Sequence, residues 1–205
     1  KTIILKINSD VPLLTVQNLR FINAKNTDPN QQINGGAISA YYESDLTVLN
    51  CTFVNNITDS AYFNPNKNLD FGGGAIYLHT GTLIVRNSTF KNNRAIDGSG
   101  GAIHTLHSNV EITDSTFENN QATTYGGAFY NDGVRNATGS VIFRRNTFIG
   151  NSGKGQGGAA FVYLYARYPN STITIEGSRF INNSLGMDEV NHSFGGGLRL
   201  GSGTV

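Results

Sequence analysis

The chain has 205 residues, a formal net charge of +1 and only 14% charged residues. Ordinary soluble domains carry about 25% charged residues, and here 25 glycines and 26 asparagines take up the difference. A net charge near zero gives no electrostatic reason to bind nucleic acid or an anionic membrane. The sequence also contains no run of about 18 apolar residues, so we expect no membrane-spanning helix.

A repeated motif runs along the whole chain. A phenylalanine recurs at steps of 32, 37, 27, 31 and 32 residues, and in five of its six copies an asparagine follows three positions later. A Gly-Gly step and a small residue come next. The phenylalanines are Phe21, Phe53, Phe90, Phe117, Phe148 and Phe180, and the small residues are Ala37, Ala75, Ala102, Ala128, Ala159 and Gly197. Self-similarity of this kind indicates a repeat architecture.

Short apolar runs within each repeat alternate with a period of two. In chain order they lie at residues 3–7, 14–16, 46–48, 83–85, 110–112 and 173–175. β-Branched and aromatic residues dominate these runs, and glycine or asparagine bounds them, which predicts strands of three to five residues joined by tight corners. No stretch carries the apolar stripe of an amphipathic helix, so we expect almost no α-helix.

The repeat length distinguishes between two β architectures. Three short strands and three corners fit into the 26 residues from Ala102 to Ala128, whereas a propeller blade needs about 40 residues. We therefore predict an all-β fold, a single-stranded right-handed parallel β-helix of about six coils with irregular loop insertions, forming one domain over residues 1–205. The chain begins and ends at nearly the same phase, without a capping helix. We expect further coils to continue it at both ends, or copies to stack head to tail.

Asparagines occupy the two positions that lie two and three residues after the phenylalanine. Asparagine tolerates left-handed corners, and its amide can bond to the coils above and below, so we predict an asparagine ladder. Seven asparagines also stand in Asn-x-Ser/Thr sequons, three of them in or beside insertions where a glycan has room. We predict N-glycosylation, and hence an extracellular protein, at Asn50, Asn56, Asn87, Asn136, Asn170, Asn182 and Asn191.

The distribution of reactive residues argues against an enzyme. A glycosidase needs two carboxylates around one bond, and a calcium-dependent lyase needs an acidic cluster, but the acidic residues here are scattered along the sequence. We predict no catalytic residues, no metal and no cofactor. We interpret His79, His104, His107 and His192 as exposed polar positions, and the single cysteine, Cys51, as a small residue in a tight corner.

One outward-facing column of the predicted β-helix is aromatic. If Ile76 and Ile103 point inward, the residues that follow them point outward. The outward residues form a candidate binding stripe of Tyr77, His104, Tyr130, Phe161 and Tyr163. An exposed aromatic stripe usually marks a binding surface. The alternative is that the long insertion at 58–71 folds back over it, and the sequence leaves both interpretations open.

The motifs resemble those of a known family. Gly-Gly-Ala-Ile combined with Phe-x-x-Asn resembles the repeat of polymorphic outer membrane proteins and related extracellular β-helix proteins. The Gly-Gly-Ala-Ile copies are 35–38, 73–76 and 100–103, and the Phe-x-x-Asn copies are 53–56, 90–93, 117–120, 148–151 and 180–183. The resemblance implies a surface-exposed adhesin or passenger domain. The repeat departs from this pattern at three places: Ala24 stands three positions after Phe21 where the motif has asparagine, and Gly-Gly-Ala-Ile becomes Gly-Gly-Ala-Ala at 157–160 and Gly-Gly-Gly-Leu at 195–198.

These observations lead to one functional hypothesis and two alternatives. The hypothesis is an extracellular structural or adhesive module at the cell surface, a subunit of a glycosylated filament or coat assembled end to end. Its partners would be copies of itself, adjoining repeats or glycans, with neither nucleic acid nor a membrane span. The alternatives are a carbohydrate-binding β-helix and a polysaccharide lyase or hydrolase.

Overall fold

The structure, a computed structural model, describes residues 5–7, 13–27, 34–41, 43–61, 69–186 and 194–203. All regular secondary structure in these segments is β-strand, so none of them holds a helix that could cross a membrane. The predicted strand positions Ile3 and Ile4, the sequon at Asn191 and His192 lie outside the described residues. The described segments form six coils of four strands and one further strand, which confirms the predicted number of coils.

The strands of the first three coils are β1 (Leu5–Ile7), β2 (Leu13–Gln17), β3 (Arg20–Ile22), β4 (Lys25–Asn26), β5 (Ile38–Ala40), β6 (Asp45–Leu49), β7 (Thr52–Val54), β8 (Ile57–Asp59), β9 (Ile76–His79), β10 (Thr82–Arg86), β11 (Thr89–Lys91) and β12 (Arg94–Ile96). Those of the next three coils and the last strand are β13 (Ile103–Leu106), β14 (Asn109–Thr113), β15 (Thr116–Glu118), β16 (Gln121–Ala122), β17 (Phe129–Asp132), β18 (Ser140–Arg144), β19 (Thr147–Ile149), β20 (Ser152–Lys154), β21 (Ala160–Tyr165), β22 (Thr172–Glu176), β23 (Arg179–Ile181), β24 (Ser184–Gly186) and β25 (Leu198–Gly203).

Equivalent strands of successive coils pair in parallel and form four sheets around one core. Sheet I contains β1, β5, β9, β13, β17, β21 and β25; sheet II contains β2, β6, β10, β14, β18 and β22; sheet III contains β3, β7, β11, β15, β19 and β23; and sheet IV contains β4, β8, β12, β16, β20 and β24. Because pairing is in register, each column of the sequence repeat becomes a row of touching side chains.

The phenylalanine column is a continuous stack inside sheet III. The rings of Phe90 and Phe117 are 4.8 Å apart between centroids and nearly parallel, and the other neighbouring pairs from Phe21 to Phe180 lie at 4.7–4.8 Å. The rings from Phe53 to Phe148 are fully buried. Opposite them, sheet I contributes inward side chains such as Ile76 and Ile103. Burial of these rows supplies the main driving force for folding.

The predicted asparagine ladder is present where the chain turns from sheet III to sheet IV. Asn93 donates its backbone N–H and its Nδ2 group to Oδ1 of Asn120, both at 2.9 Å, and the same Nδ2 group donates to the Phe53 carbonyl at 3.0 Å. Asn56, Asn120 and Asn151 repeat this pattern. The ladder therefore satisfies buried backbone groups that the corner would otherwise leave without partners.

A second ladder runs through the corner between sheets II and III. The backbone N–H of Cys51 donates to Oγ of Ser88, and that of Ser88 donates to Oγ of Ser115, both at 3.1 Å. Cys51 is buried and its thiol lies 3.2 Å from the Leu49 carbonyl. These contacts agree with the predicted structural role of a small residue in a tight corner.

One feature of the coil differs from the prediction, because each coil has four strands rather than three. The missed strands form sheet IV, and they are only two or three residues long. Their outward residues include Ile57, Arg94 and Gln121, so no alternating pattern marks them in the sequence. Their strand conformation follows from pairing with the neighbouring coils, which the ladder holds in register.

Candidate functional site

The candidate binding stripe points away from the core, as predicted, but four of its five residues are not exposed. Tyr77, His104 and Tyr130 are paired across neighbouring strands of sheet I, with ring centroids 5.2 and 4.7 Å apart. Their exposed fractions are 2%, 0% and 1%, and that of Phe161 is 7%. Of the two interpretations that the sequence left open, these four residues follow the covered one.

Segments that connect sheet IV to sheet I cover this aromatic column. Leu69 lies in the insertion before β9, and Tyr125 lies in the connection before β17; both pack against the column. The Tyr125 ring is 5.6 Å from that of Phe161. The covering residues and the column form a second apolar cluster outside the main core. An aromatic column that is covered in this way contributes to stability and leaves little exposed area for a ligand.

His104 is the polar member of this buried column. Its Nδ1 atom is 3.2 Å from the Ser99 carbonyl, while Nε2 has no hydrogen-bond partner in the described part of the chain. Burial, opposed in part by the contact with Ser99, lowers the pKa of His104 to about 3. The imidazole is therefore neutral at physiological pH. The interpretation of His104 as an exposed polar residue is wrong.

An accessible group of polar residues lies at the end of the same column. We define the polar cluster as Asp70, His79, His107, Asp132 and Tyr165. All five side chains are half-buried or exposed. The imidazole rings of His79 and His107 are 6.0 Å apart, and the His107 ring is 5.7 Å from the Tyr165 ring. The cluster therefore extends from β9 to β21, along the side of sheet I where the carboxyl ends of its strands lie.

The register of sheet I explains why these residues meet. His79, Asp132 and Tyr165 are the last residues of β9, β17 and β21, and His107 follows β13 directly. At the next corner Gly133 has a φ angle of +75°, and a Cβ atom there would lie 2.4 Å from a Tyr165 ring carbon. Glycine at this position therefore lets the tyrosine ring lie against the corner.

Aromatic rings extend the polar cluster on the side of β21. The rings of Tyr163 and Tyr165 meet edge to face with centroids 5.7 Å apart. The Arg167 guanidinium lies 4.7 Å from the centroid of the Tyr165 ring and 5.2 Å from that of Tyr168. Tyr163, the fifth residue of the predicted stripe, is only half-buried and thus differs from the other four.

The protonation equilibria of the cluster are shifted by burial. Burial raises the pKa of Asp132, and the nearby Asp70 carboxylate adds to this, whereas the Tyr165 hydroxyl and His107 oppose it. Burial also lowers the pKa of His79, as does His107, while Asp70 opposes the change. Burial and the Asp132 carboxylate raise the pKa of Tyr165. Perturbed titrating groups of this kind are enriched at functional sites.

The described residues contain no group of three or more His, Cys, Asp or Glu side chains suited to hold a metal ion. The polar cluster instead offers hydrogen-bond acceptors on two carboxylates, imidazole nitrogens that can donate or accept, a tyrosine hydroxyl and two aromatic rings. This combination suits a ligand with several hydroxyl groups and an apolar ring face. The acidic residue Asp114 lies elsewhere and forms two 2.7 Å bonds with the Arg145 guanidinium.

Five of the six sequons in the described segments have exposed asparagines: Asn50, Asn87, Asn136, Asn170 and Asn182. Asn56 is fully buried, and its Nδ2 group donates to the Phe21 carbonyl and to Oδ1 of Asn93. A glycan on this nitrogen would remove a ladder hydrogen bond and has no space in the core. The folded β-helix therefore contradicts glycosylation of Asn56.

The polar cluster was not predicted from the sequence. Its acidic residues, Asp70 and Asp132, are far apart along the chain, so their spacing gives no sign that they belong to one site. The signal that would have found it is the column in which His79, Leu106, Asp132 and Tyr163 are paired on neighbouring strands. The same strands end next to this column, so His107 and Tyr165 lie beside it at the carboxyl ends of β13 and β21.

Four stacks of parallel strands around a continuous core, with a ladder at the corners, define a parallel β-helix protein. Comparison with protein families agrees with this class. The family model described as "Right handed beta helix region" matches residues 3–204, and the chain belongs to this family. Searches of curated proteins and of solved structures gave no significant match.

Proposed function

We propose that the chain is an adhesive, carbohydrate-binding β-helix module of an extracellular protein, and that its ligand site is the polar cluster together with Tyr163. The proposal combines the adhesive role expected from the repeat with the carbohydrate-binding alternative. The family match defines the fold, and it covers proteins with and without catalytic activity, so the functional argument rests on the site itself.

The observation that carries this proposal is the meeting of aromatic rings and polar groups at one accessible edge. The half-buried Tyr163 ring offers an apolar surface for a sugar ring, and Tyr165 lies beside it edge to face. Asp132 and the imidazoles of His79 and His107 offer acceptors and donors for its hydroxyl groups. Burial and the neighbouring His107 lower the pKa of His79, which favours the neutral imidazole, able to donate one hydrogen bond and accept another.

A polysaccharide-cleaving enzyme is the second candidate, favoured by one observation. The Asp70 carboxylate adds to the rise in the pKa of Asp132, and glycoside hydrolysis requires two carboxyl groups, one of them with a raised pKa. We propose binding without turnover because Asp132 also interacts with Tyr165, His107 and Arg167, which hold it within the cluster. Incubating the purified protein with each bound glycan and measuring newly formed reducing ends distinguishes the two candidates.

The extracellular location is supported by the exposed sequons. Asn136 and Asn170 lie in the insertions that follow β17 and β21, where the side chains are exposed. The Asn136 Oδ1 atom accepts bonds from the backbone N–H and hydroxyl of Thr138 within its own sequon. We propose that these two positions carry glycans. The more specific likeness to polymorphic outer membrane proteins stays a prediction.

End-to-end assembly into a filament also stays a prediction, supported by the regularity of the coil. The stacking distance from Phe148 to Phe180 is 4.8 Å, the same as between Phe90 and Phe117. Coils that repeat so closely can add to one another with little change in geometry. Electron microscopy of the purified chain would reveal rods of many coils if copies stack, and single short particles if they do not.

A glycan array tests the proposed carbohydrate site. We expect the wild-type chain to bind a restricted set of glycans, and Asp132→Asn to lose that binding because the acceptor charge is removed with little change in shape. Asp114→Asn serves as the matched control, since Asp114 is an exposed carboxylate paired with Arg145 on another face. Absence of binding by the wild type, or equal losses in both variants, would reject the proposal.

A further inference from the structure

The buried aromatic column holds one imidazole that is only half satisfied. His104 is fully buried, with Nδ1 3.2 Å from the Ser99 carbonyl oxygen, while Nε2 has no hydrogen-bond partner among the residues that the structure describes. Because a carbonyl oxygen only accepts hydrogen bonds, Nδ1 carries the proton of the neutral ring. Nε2 is therefore an unpaired acceptor between the rings of Tyr77 and Tyr130.

Protonation of this ring conflicts with its surroundings. A second proton would bind to Nε2 and turn it into a charged donor. Burial of a charged group without a partner costs far more free energy than burial of the same group when neutral. The closed aromatic column therefore excludes the protonated form of His104, and uptake of a proton requires that Nε2 reach water.

Three connections from sheet IV to sheet I separate the column from solvent. We define the cover as residues 69–72, 97–101 and 123–126, which precede β9, β13 and β17. Leu69 and Tyr125 of the cover pack against the column and are themselves only half-buried. A single layer of side chains thus lies between these aromatic rings and water, so local movement of the cover is sufficient to hydrate them.

Ser99 joins the three parts of the cover to the imidazole. Its hydroxyl lies 2.6 Å from that of Thr124, and its backbone N–H donates to the Phe71 carbonyl at 2.8 Å. Its carbonyl accepts from the backbone N–H of Gly73 at 3.0 Å and faces Nδ1 of His104. Displacement of the cover and hydration of His104 are therefore coupled through one residue.

The ionisable groups around His104 include acids and bases. Burial is the main cause of its lowered pKa, the Ser99 carbonyl opposes the shift, and the charge of His79 adds to it. The other ionisable side chains on the surrounding elements are Asp70, Tyr77, Asp97, His107, Tyr125, Tyr130 and Asp132. Because burial dominates, contact with water in an opened state would restore the ordinary basicity of the ring.

We propose that His104 is an acid-sensitive switch: its neutral ring keeps the cover on the aromatic column, and its protonation favours a locally opened state in which the column faces water. The opened state binds a proton near the ordinary pKa of 6.5, whereas the closed state does so only near 3. Opening is therefore independent of pH above 6.5 and becomes more frequent as pH falls below it. The switch requires no ligand and is separate from the proposed carbohydrate site.

Native-state hydrogen exchange, measured by NMR at low urea concentrations, tests the switch. The backbone N–H groups of Ser99 and Gly100 donate across the cover, and that of Asn93, which donates to Asn120 in the core ladder, is the internal control. We expect the cover amides to be less protected than Asn93 and to respond little to urea, because local opening exposes little surface. Their protection factors should fall about thirtyfold from pH 7 to pH 5.

Two substitutions separate the switch from the hydrogen bonds of the cover. His104→Phe should remove most of the fall in protection between pH 7 and pH 5. Thr124→Val, which removes the hydroxyl but keeps the shape, should lower the protection of Ser99 at both pH values and leave the ratio between them unchanged. An equal fall in wild type and His104→Phe would overturn the proposal. So would cover amides with the same urea dependence as Asn93 in the wild type, because they would then exchange only through global unfolding.

Discussion

Oδ1 of Asn120 accepts two hydrogen bonds from Asn93, one from the backbone N–H and one from the side-chain Nδ2, both at 2.9 Å. Asn120 in turn donates to Oδ1 of Asn151 and to the Phe90 carbonyl. All three asparagines are fully buried. One side chain thus satisfies groups on three successive coils, which makes the ladder a main determinant of stability.

Asn120→Ala should destabilise the chain strongly. The substitution leaves the Asn93 N–H without an acceptor and removes one of the two acceptors of Asn93 Nδ2, which keeps its bond to the Phe53 carbonyl. A buried polar group without a partner costs about 1–3 kcal/mol. We expect a loss of about 2–5 kcal/mol in the free energy of unfolding, measured by urea denaturation. Gln121→Ala is the control, because Gln121 is exposed and adjacent; it should change the free energy by less than about 0.5 kcal/mol. Similar effects of the two substitutions would contradict the ladder's role.

Phe117→Ala should cause a comparable loss through packing. The ring contacts Phe90 and Phe148 at 4.8 and 4.7 Å, so truncation opens a cavity in the middle of the stack. Phenylalanine-to-alanine changes in cores cost about 3–5 kcal/mol. Phe117→Leu keeps most of the volume and should cost less than half as much. The midpoint of denaturation measures both, and equal midpoints for the two variants would argue against a tightly packed stack.

His104 should make the protein sensitive to acid. Its pKa is about 3 in the folded chain, whereas an unperturbed histidine has a pKa of 6.5, so below pH 6.5 the unfolded chain binds a proton that the folded chain does not. Stability is then lost as pH falls from 6.5 towards 3, and the loss at pH 5 is about 2 kcal/mol. His104→Phe, which matches the aromatic neighbours, should remove this part of the acid sensitivity. An unchanged pH profile of unfolding in His104→Phe would refute this assignment.

Asp132→Asn should stabilise the fold at neutral pH while it removes binding. Burial raises the pKa of Asp132, so the folded chain holds its proton more tightly than the unfolded chain does, and stability falls as pH rises through this pKa. Asparagine carries no charge, so the variant does not lose stability through ionisation of a half-buried carboxyl group. The melting temperature of the variant should exceed that of the wild type at pH 7 and match it at pH 3. A lower melting temperature at pH 7 would indicate that the carboxylate stabilises the cluster.

Glycan occupancy should follow exposure rather than the sequon pattern. On secretion from a eukaryotic host, Asn136 and Asn170 should carry glycans because their insertions leave the amides accessible. Asn56 should be unmodified, since its Nδ2 group is bound inside the ladder. Peptide mapping after enzymatic deglycosylation in heavy-oxygen water distinguishes the positions. Modification of Asn56 in the folded, secreted protein would contradict the arrangement of this corner.

Local pattern in the sequence was sufficient to predict the fold class, a parallel β-helix of about six coils. The Phe and Asn columns have fixed spacing because stacking and amide bonding act between equivalent positions of adjacent coils. Sheet IV was missed because strands such as Gln121–Ala122 take their conformation from neighbouring coils rather than from their own residues.

The candidate site depended on contacts that spacing alone does not reveal. The sequence correctly set Tyr77, His104 and Tyr130 in an outward column, but whether Leu69 and Tyr125 cover them depends on the path of the connecting segments. Likewise, Asp70 and Asp132 are 62 residues apart in the chain. The charge of Asp70 raises the pKa of Asp132 because residues 69–71, which precede β9, lie near the end of β17.

The location of carbohydrate binding is tested most directly by NMR with ¹³C-labelled tyrosine rings. The strongest ligand from the glycan array would be titrated into the labelled chain, with resonances assigned by single Tyr→Phe substitutions. If the polar cluster is the site, the signals of Tyr163 and Tyr165 move together with saturation of the ligand, while that of Tyr41, at the far end of the aromatic column, stays in place. Shifts at Tyr41 without shifts at Tyr163 and Tyr165 would contradict the account.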